Sequence, residues 1–526
     1  MELMQLIAPS LLLFHVVCPF VAGVLLACGA IRSTVHARWL SIGTNLVLTG
    51  TALVLFVFLN RTPLPGVTSI QFVATLPTVT STSDLVHYVI WGLIPSTGGL
   101  LCLVPWVAIT ALLLTPSEEF SVARHRSQLL SVAALGLLIT GWDIGSMLTG
   151  TFLSAALIAE QICLYGRDER RSASRLFLTY QVIGGFLLAA GISMIIASLG
   201  VVRSAPRGVP GDSVASLPEL MSLLQGALES HPAASQLWGE YRTVPCVLML
   251  LGIGIMAAIF PVQVWMSEVI DSSSLPERLW LIFRVKAVLL IGLRWVNILV
   301  PETFHGLTWW GLVISAPGAV FVASLLFSQA YLPRIQSSAV MWTQQLAFMI
   351  AFAATTDFDT WMGALLVSQL AGLVLLTITL TTITDRFRSI ELASYQGLSA
   401  QAGWIAPALV SCCLILTLTP LGLGLLNLWL MTATLQGSGA PGEVFLRGCF
   451  FVANLLALAG LVRVTRTLLT GERRVPEMSP ILLARIGETP PVRTLELTGV
   501  QMFILMTWGM IALITGIWFP LRYVSF

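Results

Sequence analysis

Runs of about twenty apolar residues follow one another along almost the whole chain, and each is long enough to cross a bilayer as a helix. They lie near residues 6–31, 39–59, 88–114, 128–147, 148–165, 176–200, 244–267, 279–301, 307–331, 338–354, 359–384, 403–433, 444–463 and 498–521. With no water in the hydrocarbon layer, a spanning segment has to satisfy its own backbone, so each run reads as a helix. The spacing predicts an all-α, multi-pass membrane protein with about fourteen spans. The run 403–433 is too long for one straight helix, and Pro420, Gly422 and Gly424 in its middle predict a break. Only 10% of the 526 residues are charged, against about 25% in soluble domains, so soluble nucleic-acid or phosphate chemistry is not expected. Membrane lipid is the expected surround. The first run, Leu6 to Ile31, has no basic n-region before it, so no cleavable signal peptide is expected.

The single lysine, Lys286, sits inside an apolar run, Trp280-Leu-Ile-Phe-Arg-Val-Lys286-Ala-Val-Leu-Leu-Ile-Gly-Leu-Arg294. A lysine at membrane depth costs roughly 2.5–3.5 kcal/mol on insertion scales. It either serves an ion pathway, pairs with a buried carboxylate, or snorkels to an interface. The candidate carboxylate partners are Glu160, Glu268 and Asp271. Arg284 lies two residues earlier, about 200° away around a helix, which predicts that only one of the two faces the bundle interior.

Arginine placement predicts orientation. With the N-terminus outside, eighteen arginines fall in inside loops (Arg32, Arg38, Arg124, Arg126, the Arg167–Arg175 group, Arg278, Arg334, Arg386, Arg388 and six from Arg463 to Arg493). Six fall outside: Arg61, Arg203, Arg207, Arg242, Arg447 and Arg522. That bias matches the positive-inside rule and an even number of spans. Two loops are long. Residues 201–243 face outside and carry a possible amphipathic helix around Leu217–Leu228. Residues 464–497 face inside and could lie on the membrane surface or against a partner.

Eight cysteines (Cys18, Cys28, Cys102, Cys163, Cys246, Cys412, Cys413 and Cys449) form no CxxC pair and have no histidine at metal spacing. They read as small apolar residues. No nucleophile–base set, metal cluster or phosphate loop is visible, so no catalytic site, metal or cofactor is expected in this chain.

Several stretches, in order, resemble the antiporter-like subunits of respiratory complex I, of Mrp antiporters and of membrane-bound hydrogenases, with the complex I M-type subunit nearest. Arg175-Leu-Phe-Leu-Thr-Tyr180-Gln-Val-Ile-Gly-Gly is similar to the family's sixth helix. Gly252-Ile-Gly-Ile-Met-Ala-Ala-Ile-Phe-Pro261-Val-Gln-Val-Trp265 resembles the seventh, A-x-K-x-P-x-x-P-x-H-x-W-L-P-D-A, with Asp271 near that motif's aspartate. Lys286 to Arg294 resembles the eighth, L-L-K-T-A-A-Y-G-L-L-R. Gln329 to Arg334, Gly363 to Leu373 and Leu416 to Gly424 resemble the turn before the tenth helix, the eleventh, and the broken twelfth. The likeness covers roughly 88–435.

The resemblance implies two inverted five-helix repeats with breaks in the seventh and twelfth segments, at Pro261 and at Pro420–Gly424. It implies this organisation: spans one to three over 1–114, a first repeat over 115–301, a second over 302–465, and an inside loop with the last span over 466–526. It also implies a hydrophilic axis of neighbouring titratable groups, each tuning the next. Carried over residue by residue, most of that axis is absent. The glutamate position of the fifth segment falls on Phe152, and the lysine position of the seventh on Ile259. Histidine positions fall near Met266 and Gln345 and on Ala371, and the titratable position of the twelfth near Leu428. Only Lys286 remains.

The ion-pathway candidates are therefore Lys286, Glu160, Asp143, Asp271 and Arg284. Glu160 reads as a relocated carboxylate or as a residue snorkelling beside the Arg167–Arg171 loop. Asp143 reads as an interfacial cap. Gln181, Gln344 and Gln345 are polar at depth, and His15 reads as packing. Two functions follow from the resemblance. One is a structural or coupling subunit of a larger membrane complex with most of the proton axis lost. The alternative is an active proton-translocating subunit of a redox-driven or inorganic-carbon-uptake complex. Both imply other membrane subunits as partners, leave a peripheral cytoplasmic protein open, and place the chain in a bacterial inner membrane.

Overall fold

A computed structural model describes residues 2–61, 72–79, 86–115, 121–167, 169–203, 239, 241–353, 358–387, 390–398, 403–417, 443–471 and 498–523. The elements before the midpoint are α1 (Glu2–Ala27), α2 (Thr34–Arg61), β1 (Phe72–Val79), β2 (Val86–Leu93), α3 (Pro95–Leu114), α4 (Val122–Thr140), α5 (Ile144–Tyr165) and α6 (Arg170–Arg203). Then come α7 (Thr243–Met256), α8 (Trp265–Ser272), α9 (Leu275–Leu299), α10 (Pro301–Gly306), α11 (Thr308–Ser328), α12 (Leu332–Ala353), α13 (Phe358–Phe387), a short 3₁₀ turn (Leu392–Ser394), α14 (Ile405–Leu416), α15 (Glu443–Leu469) and α16 (Gly499–Tyr523).

Eight of these helices are long and apolar enough to cross a membrane, and three shorter helices are apolar too. The multi-pass helical architecture is thus present. Three further helices, α4, α9 and α12, have spanning length but carry more polar groups. Those three are largely buried, whereas α1, α2, α6 and α15 expose large apolar side chains such as Phe20, Leu53, Phe186 and Phe451. An apolar outer layer around a more polar inner layer is the arrangement a bilayer selects, because polar groups inside the hydrocarbon layer are tolerated only where protein surrounds them.

One hairpin departs from the otherwise helical architecture. Strands β1 and β2 form an antiparallel hairpin with Phe72 opposite Leu93 and Val79 opposite Val86. Residues 88–93, expected to start the third span, are strand. The helix starts only at Pro95, whose fixed φ suits the first helical turn, after the extended Ile94. Trp91 at the end of β2 donates to Ser146 Oγ (3.1 Å), tying the hairpin to α5.

Helix α9 sits at the centre. It packs against α3, α4, α5, α7, α10, α12 and α13. Nearly every residue from Leu275 to Leu299 is buried. Pro276 near its first turn and Glu277 beside the N-terminal end of the dipole both favour its start there.

The apolar run 244–267 is not one continuous helix. Helix α7 ends at Met256, and α8 begins at Trp265 after an irregular turn that contains Pro261 and the left-handed residue Ala258 (φ 56°). The backbone freed by the break finds partners. Phe260 N–H donates to Gln345 Oε1 (3.0 Å), Gln345 Nε2 donates to Ser315 O (3.0 Å), and Trp265 Nε1 donates to Ile255 O (3.0 Å). The expected second break at Pro420, Gly422 and Gly424 lies outside the described residues, as do Leu428 and Leu217–Leu228.

Candidate functional site: the cationic core of α9

Four cations line α9: Arg278, Arg284, Lys286 and Arg294, none more than 1% exposed. Glu277 is the only acid on that helix. It forms an ion pair with Arg124 of α4 (2.8 Å), both side chains being buried, and it also accepts from Ser274 Oγ.

Lys286 Nζ points toward the later helices. It donates to Gln369 Oε1 of α13 (2.6 Å) and Thr343 Oγ1 of α12 (3.0 Å). Thr343 passes its own proton to Val340 O (2.8 Å), so its oxygen is free to accept. Arg284 points the other way. Its Nε donates to Ser154 Oγ (3.1 Å), its Nη2 to Thr151 O (3.1 Å) and its Nη1 to Gln181 Oε1 (2.5 Å), with the Phe177 ring 5.6 Å away. The expectation that only one of the pair faces the interior is therefore wrong. The 200° separation holds, but α9 is enclosed on all sides, so both directions lead into protein. Arg278 donates to Ser273 O (2.9 Å), Gln336 Oε1 (3.1 Å) and Thr381 Oγ1 (3.1 Å). Arg294 stacks 4.5 Å over the Trp142 ring.

The carboxylates proposed as partners for Lys286 are engaged elsewhere or lie apart. Glu160 accepts from Arg126 (2.7 Å) and Ser127 (3.1 Å) at a site one-third exposed, so its partners are on α4 rather than in the Arg167–Arg171 loop. Asp271 meets Arg334 (3.3 Å), and burial pushes its carboxyl pKa up despite that arginine and Arg278. Asp143 caps α5 by accepting from Ser146 N–H (2.6 Å). Among the described residues, no carboxylate bonds Lys286. Ile259 and Ala371 are buried apolar positions, and Phe152 packs on Phe186 with ring centroids 5.7 Å apart. His15 bonds Leu11 O and Leu48 O (both 2.9 Å) and so fastens α1 to α2.

Arginine counting places Arg124 and Arg278 in inside loops, but both are buried in helices. Setting them aside leaves sixteen inside arginines against six outside, so the bias stands. Gln369, Thr377 and Thr381 recur on α13 at intervals of eight and four residues, and Gln336 and Thr343 on α12 at seven. That helical-period polar stripe on apolar helices was the readable signal. Gln336 Nε2 donates to Thr377 Oγ1 (2.8 Å), joining the two stripes. No group of three or more potential metal ligands occurs among the described residues.

No protein-family model matches the chain, and no curated protein matches it by sequence. Solved structures do match in fold. A chain of respiratory complex I from Thermus thermophilus with bound NADH superposes at TM-score 0.74 and 17% identity, covering 98% of this chain and 97% of that one. The chain has the antiporter-like fold. A chain of the Mrp complex from Dietzia sp. DQ12-45-1b matches at TM-score 0.75 and 14% identity, over 98% of this chain and 95% of that one. A chain of the archaeal membrane-bound sulfane sulfur reductase matches at 0.74 and 14%, over 97% and 75%. At these identities the likeness establishes the fold, and the antiporter-like fold here encloses a cationic centre of its own composition.

Proposed function

We propose that the chain is an antiporter-like membrane subunit of a larger complex, in which most of a proton axis has been replaced and the role is structural or coupling. The observation that carries this reading is the company of Lys286. Its described partners are an amide and a hydroxyl, and neither titrates near neutral pH. A relay needs neighbouring groups whose charges shift one another. Ile259 and Ala371 contribute none. The reading includes fourteen spans, with α7 and α8 as one broken span, and inverted repeats over 115–301 and 302–465. It places the chain in a bacterial cytoplasmic membrane beside other membrane subunits, with a peripheral protein on the arginine-rich side.

The second reading is active proton translocation. It draws on buried amides with unpartnered atoms at Gln128, Gln161 and Gln344, which are the groups that hold ordered water. Reconstitution separates the two. Purified chain in liposomes is expected to show little proton flux, and Lys286→Ala to change stability or assembly more than flux. Robust flux abolished by Lys286→Ala would establish the second reading. Copurification in mild detergent identifies the complex: redox subunits indicate a complex I-like assembly, and a carbonic-anhydrase-like partner indicates carbon uptake.

A further inference from the structure

Among the described residues, Arg284 and Lys286 are buried and bonded by neutral acceptors, and the buried carboxylates are Glu277 and Asp143. Glu277 is held by Arg124, and Asp143 by the first turn of α5. An uncompensated charge in a dry interior is costly, and neutral acceptors relieve only part of that cost.

The geometry around Lys286 narrows where compensation enters. An ammonium has three donors and no acceptor, and two of its hydrogens are directed to Thr343 and Gln369. Because lysine only donates, Gln369 has to present its oxygen, so its Nε2 faces the other way. That Nε2 is buried and has no partner. The remaining Lys286 hydrogen and the Gln369 amide N–H groups are thus uncommitted donors on two bonded side chains, with no acceptor supplied to them among the described residues.

We propose that the Lys286–Gln369 centre binds one small monovalent inorganic anion, of the chloride class, which supplies the counter-charge that a carboxylate would otherwise provide. A donor-only site selects an anion. A single ammonium suits one negative charge. The lack of a guanidinium among the partners of this lysine disfavours phosphate and sulfate, whose several oxygens call for forked donors. This inference does not depend on whether the chain moves protons.

Thermal melts of the purified full chain in lipid nanodiscs test it, in sodium chloride and in sodium gluconate of equal ionic strength. Chloride is expected to raise Tm saturably by roughly 2–4 °C, the shift expected of a chain this long at about 100- to 1,000-fold above the Kd, and bromide to substitute for it. Gln369→Glu places a carboxylate within the site. It is expected to melt in gluconate at or above the chloride-bound Tm of the unmodified chain, with no further chloride response. Lys286→Gln is expected to lose the response as well, and where it does not fold, Gln369→Glu decides alone. Equal melting of the unmodified chain in both salts would overturn the proposal and leave water as the filler. So would a chloride response that survives Gln369→Glu.

Discussion

Arg124 of α4 and Glu277 of α9, 153 residues apart, meet at 2.8 Å with neither side chain more than 1% exposed. The pair fastens α4, itself largely buried, to the central helix. Removing one partner of such a pair leaves a buried charge, at a cost of about 3–5 kcal/mol. Glu277→Gln is expected to lower stability by that order, measured by thermal or denaturant unfolding in detergent. The double change Arg124→Met with Glu277→Leu is expected to recover most of the loss, since packed apolar groups replace a buried pair well. Equal damage from the single and double variants would show that the charges themselves do not matter.

Arg284 uses its fork in three directions, to Ser154, Thr151 and Gln181. A lysine keeps the charge but cannot reproduce the planar donor geometry. Arg284→Lys is therefore expected to destabilise by about 1.5–3 kcal/mol, the range for hydrogen bonds to charged groups. A neutral result in an unfolding assay would mean that charge alone suffices at this position.

Gln345 joins three elements, receiving Phe260 N–H from the break and donating to Ser315 O of α11. Gln345→Leu leaves both backbone groups without their partner, at about 1–3 kcal/mol. Hydrogen exchange around residues 257–264 is expected to rise in this variant, while exchange in α16 stays unchanged. Unchanged protection at the break would remove Gln345 from the role of brace.

Asp271 gives a pH signature. Burial raises its folded pKa above the usual carboxylate value, so the folded chain holds this proton more tightly than the unfolded chain does. Its contribution to stability is full when it is protonated and declines as pH rises from the ordinary aspartate value through the folded one. Asp271→Asn is expected to flatten that slope without a large change in overall stability, because the Arg334 contact is partly exposed. A slope identical in both proteins would assign the dependence to another group.

The apolar runs located most helices because a bilayer imposes one length and one polarity on every span. Pro261 signalled the break because proline supplies no backbone donor. Residues 88–93 escaped because a strand of Val, Ile, Trp and Leu looks like the start of a span when no polar alternation marks it. Glu277 and Arg278 escaped for a related reason: α9 begins one turn before its apolar run, at Leu275-Pro276, so its first-turn charges looked like loop. Lys286 stood out as a lone charge, but Gln369 and Thr343 did not. Amides and hydroxyls inside an apolar helix are common, and only their packing onto one lysine gives them meaning.

The complete enclosure of α9 bears on how the chain is made. Arg284 and Lys286 at mid-helix together disfavour entry of α9 into lipid by roughly 5–7 kcal/mol on insertion scales. The groups that accept their hydrogen bonds are not all present when α9 leaves the ribosome. Ser154 and Gln181 precede it, but Thr343 and Gln369 are synthesised later. The central helix therefore cannot settle in order of synthesis. It is expected to wait at the edge of the insertion machinery, half-shielded by the helices that precede it, until α12 and α13 arrive. In truncation series that report membrane insertion by glycosylation, chains ending after α10 are expected to insert α9 poorly, and chains extended through α13 to insert it well.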